Sequence, residues 1–407
     1  MPDYELRPIR ADELDDYILA VAEAFHDDVR DEQLALWRQF GELDRTLAAF
    51  DGEAIVATSE LWSMRMAVPG GAVVPVAGVS AVGVHAVHRR RGLLDRMMRG
   101  HLEAIHERGE EALAALWASE AGIYGRWGFG LATSIAVLTV RSTDAVLLAV
   151  PEQRPRHGAP ADLLAECKAV HEAVLPTRPG MIARDDIIWK VATADLEADR
   201  DGAGRLRALV FDGADGPEGY ALFAVRKQHT DGRPDDVVVL QELVATTPAA
   251  RAALWQHLLR LSLSRSVSWW RAPVDEELAH MLADAGAVSA KLDYGLFIRL
   301  ADVPRALSAR AYSAPVDVVL EVSDDLCPWN ARRWRLAGDA SGATCERSAA
   351  PADLALDARE LGAVYLGGTA LATLAAAGRI EEHSAGAVDA AGRAFKGARE
   401  PWCFQEF

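Results

Sequence analysis

Apolar and polar positions in the first 148 residues switch between two periods. Tyr4 to Ile9, Thr46 to Phe50, Ala54 to Arg65 and Ala72 to Val87 show the alternation or short apolar runs of strands. Ala11 to Ala24 and Leu34 to Gly41 show helical spacing, and Phe25-His26-Asp27-Asp28 closes the first of these helices. Val79 to Val87 reads as a strand, and Gly83 inside it suggests a bulge or a close backbone approach. The turn His88-Arg89-Arg90-Arg91-Gly92 follows. Leu93, Leu94, Met97, Met98, Leu102 and Ile105 then recur at helical spacing, so a helix starts near Gly92. Ala112 to Trp117 reads as a short buried strand. Tyr124 to Phe129 leads into another strand, Ser134 to Val140.

Pro151 to Pro160 reads as a linker. Residues 237 to 261 repeat the strand–turn–helix pattern, but the turn Thr246 to Arg251 has no glycine. Pro248 stands there where an amide would have to donate. This half therefore reads as a degenerate copy of the first. A third unit begins near Leu300, with a strand at Val316 to Val322 and a helix of small residues at Thr369 to Ala377, stopped by Gly378. The expected class is α/β (α+β), in three parts: residues 1–148, 149–298 and 299–407. A chain of 407 residues is too long for one ordinary core.

A formal net charge of −17 argues against nucleic acid as a partner, because phosphate neutralisation needs a basic face. It suits attraction of cationic small molecules. No apolar run reaches membrane-spanning length and no signal-peptide pattern is present, so a cytoplasmic location is the default expectation. Cys167, Cys327, Cys345 and Cys403 are scattered, without metal-type spacing or a disulfide framework. No metal is expected.

The helix that starts near Gly92 leaves its first amides without internal partners, and its dipole favours an anion there. Gly92 lets backbone approach that anion closely. Arg89-x-x-Gly92-x-Leu94 resembles the pyrophosphate loop of the GCN5-related N-acetyltransferases. HRRRGLL, ASEAGIYGRWGFG, ELGAVYLGGTALATLAAAGRIEE (residues 360 to 382) and a terminal phenylalanine occur together here. That combination resembles the Eis (enhanced intracellular survival) family of aminoglycoside N-acetyltransferases, over essentially the whole chain. The resemblance implies tandem acetyltransferase-like domains, a sterol-carrier-protein-like C-terminal domain and a homohexamer. It implies acetyl-coenzyme A as co-substrate. Val82, Gly83 and Val84 would meet the pantetheine arm, and Arg90, Arg91, Gly92, Leu93, Leu94 and Asp95 would wrap the pyrophosphate. Ser119 and Glu120 would touch the cofactor through backbone groups.

Acetyl transfer to an amine needs a proton acceptor for nitrogen and a donor for the departing thiolate. The resemblance gives the donor role to Tyr124 and the acceptor role to the α-carboxylate of Phe407. His85 and His88 flank the cofactor strand, and each reads more readily as structural or solvated. Asp27, Asp28, Glu406 and the terminal carboxylate would ring a cationic amine, with Trp37, Trp189 and Ser80 lining the pocket. Two alternatives stay open from sequence: transfer to protein lysines, or a lipid-binding scaffold with a dormant transferase.

Overall fold

The structure, a computed structural model, describes residues 4–407. The chain forms two units. One comprises residues up to Thr133 with Gly295–Pro401 and Gln405–Phe407; the other comprises Ser134–Tyr294 with Trp402–Phe404.

The first unit opens with β1 (Glu5–Pro8), α1 (Leu14–Phe25), α2 (Asp31–Trp37), β2 (Thr46–Asp51), β3 (Ala54–Ala67) and β4 (Val73–Val84). It continues with α3 (Leu93–Arg108), β5 (Leu113–Trp117), α4 (Ala121–Tyr124) and β6 (Gly130–Leu131). The strands β1 to β4 pair antiparallel in sequence order. A parallel partner needs a crossover, and α3 supplies it between β4 and β5. Alternation along the strands divides the two faces. Ala48 and Phe50 pack with Tyr17 and Ala20 of α1, whereas Ala49 and Ala57 pack with Leu93 and Met97 of α3. The apolar stripe of α3 continues through Met98 and Ile105 onto Leu61, Ala77 and Val79.

Two strands depart from the expected boundaries. Leu296–Leu300 lies between β5 and β6, completing a seven-stranded sheet in the first unit. Ser134–Arg141 instead belongs to the second unit's sheet, between Val288–Tyr294 and Ser264–Pro273. Residue period specifies which face of a strand is buried and not which strand it will pair with, so these partners had no local signal. The C-terminal part of the first unit carries its own five-stranded sheet, centred on Val316–Ser323.

The second unit repeats the order of the first, with a parallel pair formed by Asp236–Ala245 and Ser264–Pro273. Its helix Pro248–Leu259 starts at Thr247, whose hydroxyl accepts the Ala250 amide at 3.2 Å. That amide is already satisfied and Pro248 has none.

Each unit buries one neutral histidine. His101 of α3 bonds to Ser59 at 2.8 Å, and His171 packs edge-on to Trp189 and Phe404. Burial, reinforced by Arg45 and Arg184 respectively, pushes both imidazoles down to about 3. The unfolded chain protonates its histidines near the ordinary value of about 6.5 while the folded chain does not. Stability is therefore full above about pH 6.5 and declines as pH falls toward 3. Urea midpoints measured between about pH 8 and 5 should fall with acidity, and His101→Gln should flatten that dependence. A midpoint independent of pH over this range would contradict the assignment.

Candidate active site

The site is organised by the end of β4. Trp62 of β3 faces Gly78, and Glu60 faces Ser80; the register then slips, so that Thr58 faces Gly83. The extra residue on β4 makes a bulge at Ala81–Val82, with Ala81 in the left-handed region at φ 51° and its carbonyl held by the Thr58 hydroxyl at 2.8 Å. Gly83 serves the second of its two expected uses. A Cβ there would lie 2.6 Å from Cβ of Ala24 on α1.

On its other side β4 pairs with β5 at only two positions, Ala77 with Ala114 and Gly78 with Ala115. Among the described residues no strand pairs with that edge of β4 beyond Gly78. Exposure follows the same line: residues 76 to 79 are buried, and residues 80 to 84 are partly open. Val82, Gly83 and Val84 thus offer peptide groups to any extended amide-bearing chain laid between the strands.

The turn after β4 has the conformation of an anion seat. Arg90 and Gly92 both occupy the left-handed region, at φ 62° and 77°. The 16-residue α3 starts at Gly92 with no side-chain cap, so its leading amides have no partner. Arg91 donates to the Tyr4 hydroxyl at 2.7 Å, and Arg89 to the Val84 carbonyl at 3.1 Å. These bonds hold a backbone shape that costs a non-glycine residue about 1–2 kcal/mol. Leu93 is core and offers a ligand its backbone only, and Leu94 is partly buried against the same core. The Asp95 carboxylate accepts from Arg99 at 2.8 Å and from Trp127 at 2.9 Å, and these two bonds lower its pKa. Its side chain ties α3 to the Tyr124 loop.

Ser119 and Glu120 are exposed at the start of that loop. Tyr124 ends α4 and is only 6% exposed, with the Trp127 and Phe129 rings at 5.9 and 6.3 Å. Its hydroxyl has no hydrogen-bond partner among the described residues. Burial, then the Glu120 charge, pushes it up to about 12. It stays protonated across the working pH range.

The last residues lie beside the divergence of β4 and β5. Trp117 of β5 donates to the Gln405 carbonyl at 2.8 Å. The Phe407 ring lies 3.1 Å from where a Cβ on Gly78 would stand. Glu406 is exposed and Ser80 partly open. Asp27 is exposed just beyond α1, and Trp37 is half-buried at the end of α2. Trp189 is a correction. It is 2% exposed in the second unit, enclosed by His171, Tyr220 and the Arg184 guanidinium, and has no face left for a ligand. Its tryptophan identity suggested stacking, but the helix Asp186–Ala192 turns that position inward.

Glu60 is the residue that motif reasoning passed over. It accepts the Trp62 indole N–H at 2.7 Å and faces Ser80 across the strands. The available signal was a carboxylate on the face of β3 that also carries Thr58, Trp62 and Met64.

Residues 5–132 match the family description "Acetyltransferase (GNAT) domain", residues 180–300 match a second family with that description, and residues 303–404 match "Sterol carrier protein domain". An uncharacterized N-acetyltransferase of Streptomyces coelicolor is 43% identical over 407 residues, 98% of each chain. The N-acetyltransferase Eis of Mycobacterium bovis is 34% identical over 378 residues, 89% of each chain. Among solved structures, Eis1 from Mycobacterium abscessus superposes with a TM-score of 0.84 at 29% identity, covering all of both chains.

The anion seat has a direct test. Space around Gly92 is open, so a Cβ there clashes with nothing in the chain itself, yet φ 77° strains any L side chain. Gly92→Val should weaken acetyl-coenzyme A binding by about tenfold or more in calorimetry, through the strained turn and the intruding side chain. Unchanged affinity in a folded variant would remove the seat from this turn.

Proposed function

This chain belongs to the Eis-like family of GCN5-related N-acetyltransferases, and from that premise we propose that it acetylates amines of polycationic small molecules such as aminoglycosides, at more than one position. It is an N-acetyltransferase, and enzymes of its superfamily use acetyl-coenzyme A as co-substrate. The observation that carries the reading is the open edge of β4 leading straight into the uncapped start of α3. An amide-bearing pantetheine arm suits the first and a pyrophosphate the second. Val82 to Val84 bind the arm, Arg90 to Asp95 the pyrophosphate, and Ser119 and Glu120 touch the cofactor through backbone groups. A net charge of −17, with Asp27 and Glu406 exposed, favours cationic acceptors, and Ser80 and Trp37 orient them. The family also points to a homohexamer, which sedimentation would test.

In this reading Tyr124 donates its hydroxyl proton toward sulfur as the carbon–sulfur bond breaks. A reference thiol, at about 8.5, is a weaker base than this tyrosine's conjugate anion, so full transfer is uphill. The hydroxyl therefore acts chiefly by hydrogen-bonding the developing thiolate, and gives up its proton only as another is released from nitrogen. The α-carboxylate of Phe407 accepts a proton from the nitrogen once the new carbon–nitrogen bond makes it acidic. Support comes from the Phe407 ring, which lies 3.1 Å from where a Cβ on Gly78 would stand.

Tyr124→Phe should lower turnover by about tenfold or more while acetyl-coenzyme A affinity holds, as expected for loss of a general acid. Wild-type turnover in that variant would assign protonation of the thiolate to water. A few residues appended after Phe407 keep every side chain and displace the carboxylate. Thiol release with a panel of aminoglycosides, spermidine and lysine peptides should collapse in the extended protein. Normal kinetics there would put the base elsewhere.

A further inference from the structure

Two protons leave an alkylammonium acceptor in each turnover. One must go before attack, to free the lone pair; the other goes as the amide forms. An α-carboxyl of ordinary pKa, about 3.3–3.7, is a poor acceptor for the first, because an alkylammonium holds its proton near 10.4. The second departs from a far more acidic nitrogen and suits Phe407.

Glu60 is a further carboxylate on the sheet face that carries the Phe407 ring. Directly opposed residues of an antiparallel pair share a face, so Glu60, Ser80, Trp62 and Gly78 all project on the α1 side of the sheet. The Phe407 ring rests on that face at Gly78. Two strand positions, about 7 Å, separate the Glu60–Ser80 pair from that ring. Glu60 Oε1 is fixed by the Trp62 indole at 2.7 Å, and Trp62 in turn stacks on Phe40 at 5.4 Å. Oε2 meets no donor among the described residues and is not sealed from solvent. Glu60 is thus surrounded by protein and still reachable, as a group on the floor of a cleft is. On α1 the Tyr17 hydroxyl, which feels the Glu60 charge, is buried without a hydrogen-bond partner among the described residues. Among the described residues no arginine or lysine is bonded to either oxygen. A carboxylate held in this way is stabilised only by one indole and by whatever cation enters.

We infer that Glu60 binds the acceptor's ammonium and takes its first proton, leaving the neutral amine to attack the thioester. The step balances. Ammonium and carboxylate become amine and carboxylic acid, and the acid later returns its proton to solvent. The inference rests on acetyl transfer occurring at this site.

The environment agrees in direction. Burial, opposed by the Trp62 bond and reinforced by the Glu42 charge, raises the Glu60 carboxyl to about 7. The ionisable groups that bear on it are Tyr17 from α1 and Glu42, whose own oxygens are occupied by Ser63. A raised carboxyl accepts a proton more readily than the terminal one, and it must be ionised to do so. Turnover of alkylammonium acceptors therefore falls as pH drops below about 7.

The test is Glu60→Gln in the full-length protein, which keeps an oxygen for the Trp62 indole. Rates would be compared between about pH 6 and 9 on spermidine, protonated at these pH values, and on an alkoxyamine, already neutral. The variant should lose about tenfold or more on spermidine, with the limb near pH 7 abolished, and lose far less on the alkoxyamine. Calorimetric affinity for acetyl-coenzyme A should be unchanged. Equal losses on the two acceptors would mean a structural role and overturn the inference, as would no loss on spermidine. Glu60→Asp, which keeps a carboxylate on the same face, should recover part of the spermidine rate; an aspartate variant no faster than the glutamine one also overturns it. A wild-type protein inert toward every amine would instead overturn the acetyl-transfer reading itself.

Discussion

Peptide groups on a sheet edge need partners, and among the described residues the β5-side edge of β4 has no strand partner beyond Gly78. The rest of the first unit accommodates that single constraint. A bulge at Ala81–Val82 swings the open edge, and Gly83 lets α1 close in behind it. The strand then runs into a turn that ends at the bare start of α3. Tyr124 and the Phe407 ring sit on the two strands that diverge, one following β5 and the other over β4. Without the divergence the same residues would build a continuous sheet with a loop above it.

The parts of this arrangement that were legible in the sequence are the local ones. The strand–turn–helix from Val79 to Gly109 announces itself by period, by Gly92 and by its basic turn, because each signal lies within a few residues of the next. The proline in the turn Thr246–Arg251 was legible for the same reason, since it removes a donor, and the structure adds a threonine that caps its own helix. Pairing partners were illegible. Ser134 to Val140 read as a strand and Leu296–Leu300 was not singled out, and only three-dimensional closure decides which sheet receives each. Trp189 shows the complementary failure, since an aromatic side chain looks alike in sequence whether it lines a pocket or fills a core. Glu60 lacks any motif and becomes visible only when its cross-strand neighbour is known.

Each unit also hides charge in its core. Arg45 with Glu111 and Arg299 with Asp324 are buried in the first, and Arg184 with Glu242 in the second. Desolvation offsets most of what such pairs gain, so they are poor sources of net stability. Their partners are strict, however. Asp324 also receives the Cys327 amide and the Asn330 amide group, and Arg299 lies on the strand that joins β5 to β6. These contacts fix the register of the strand beside the Tyr124 loop, where a slip of one residue would turn every side chain over.

That strand has a consequence for the order in which the molecule can be made. Leu296–Leu300 completes a sheet whose other strands all come from before residue 132, and helix Ala358–Val364 packs so tightly on it that a Cβ on Gly362 would meet the Ile298 carbonyl at 2.1 Å. During synthesis the early strands emerge first and wait with an unfilled gap between β5 and β6. The intervening residues 134–294 are a continuous stretch that supplies nearly all of the second unit, so that unit is able to close first. Closing the first sheet then spans 166 to 187 residues of chain, a high-contact-order step that comes late. Until it occurs, two adjacent strand edges stay exposed, and it is there that a growing or refolding chain is most open to pairing with the wrong neighbour.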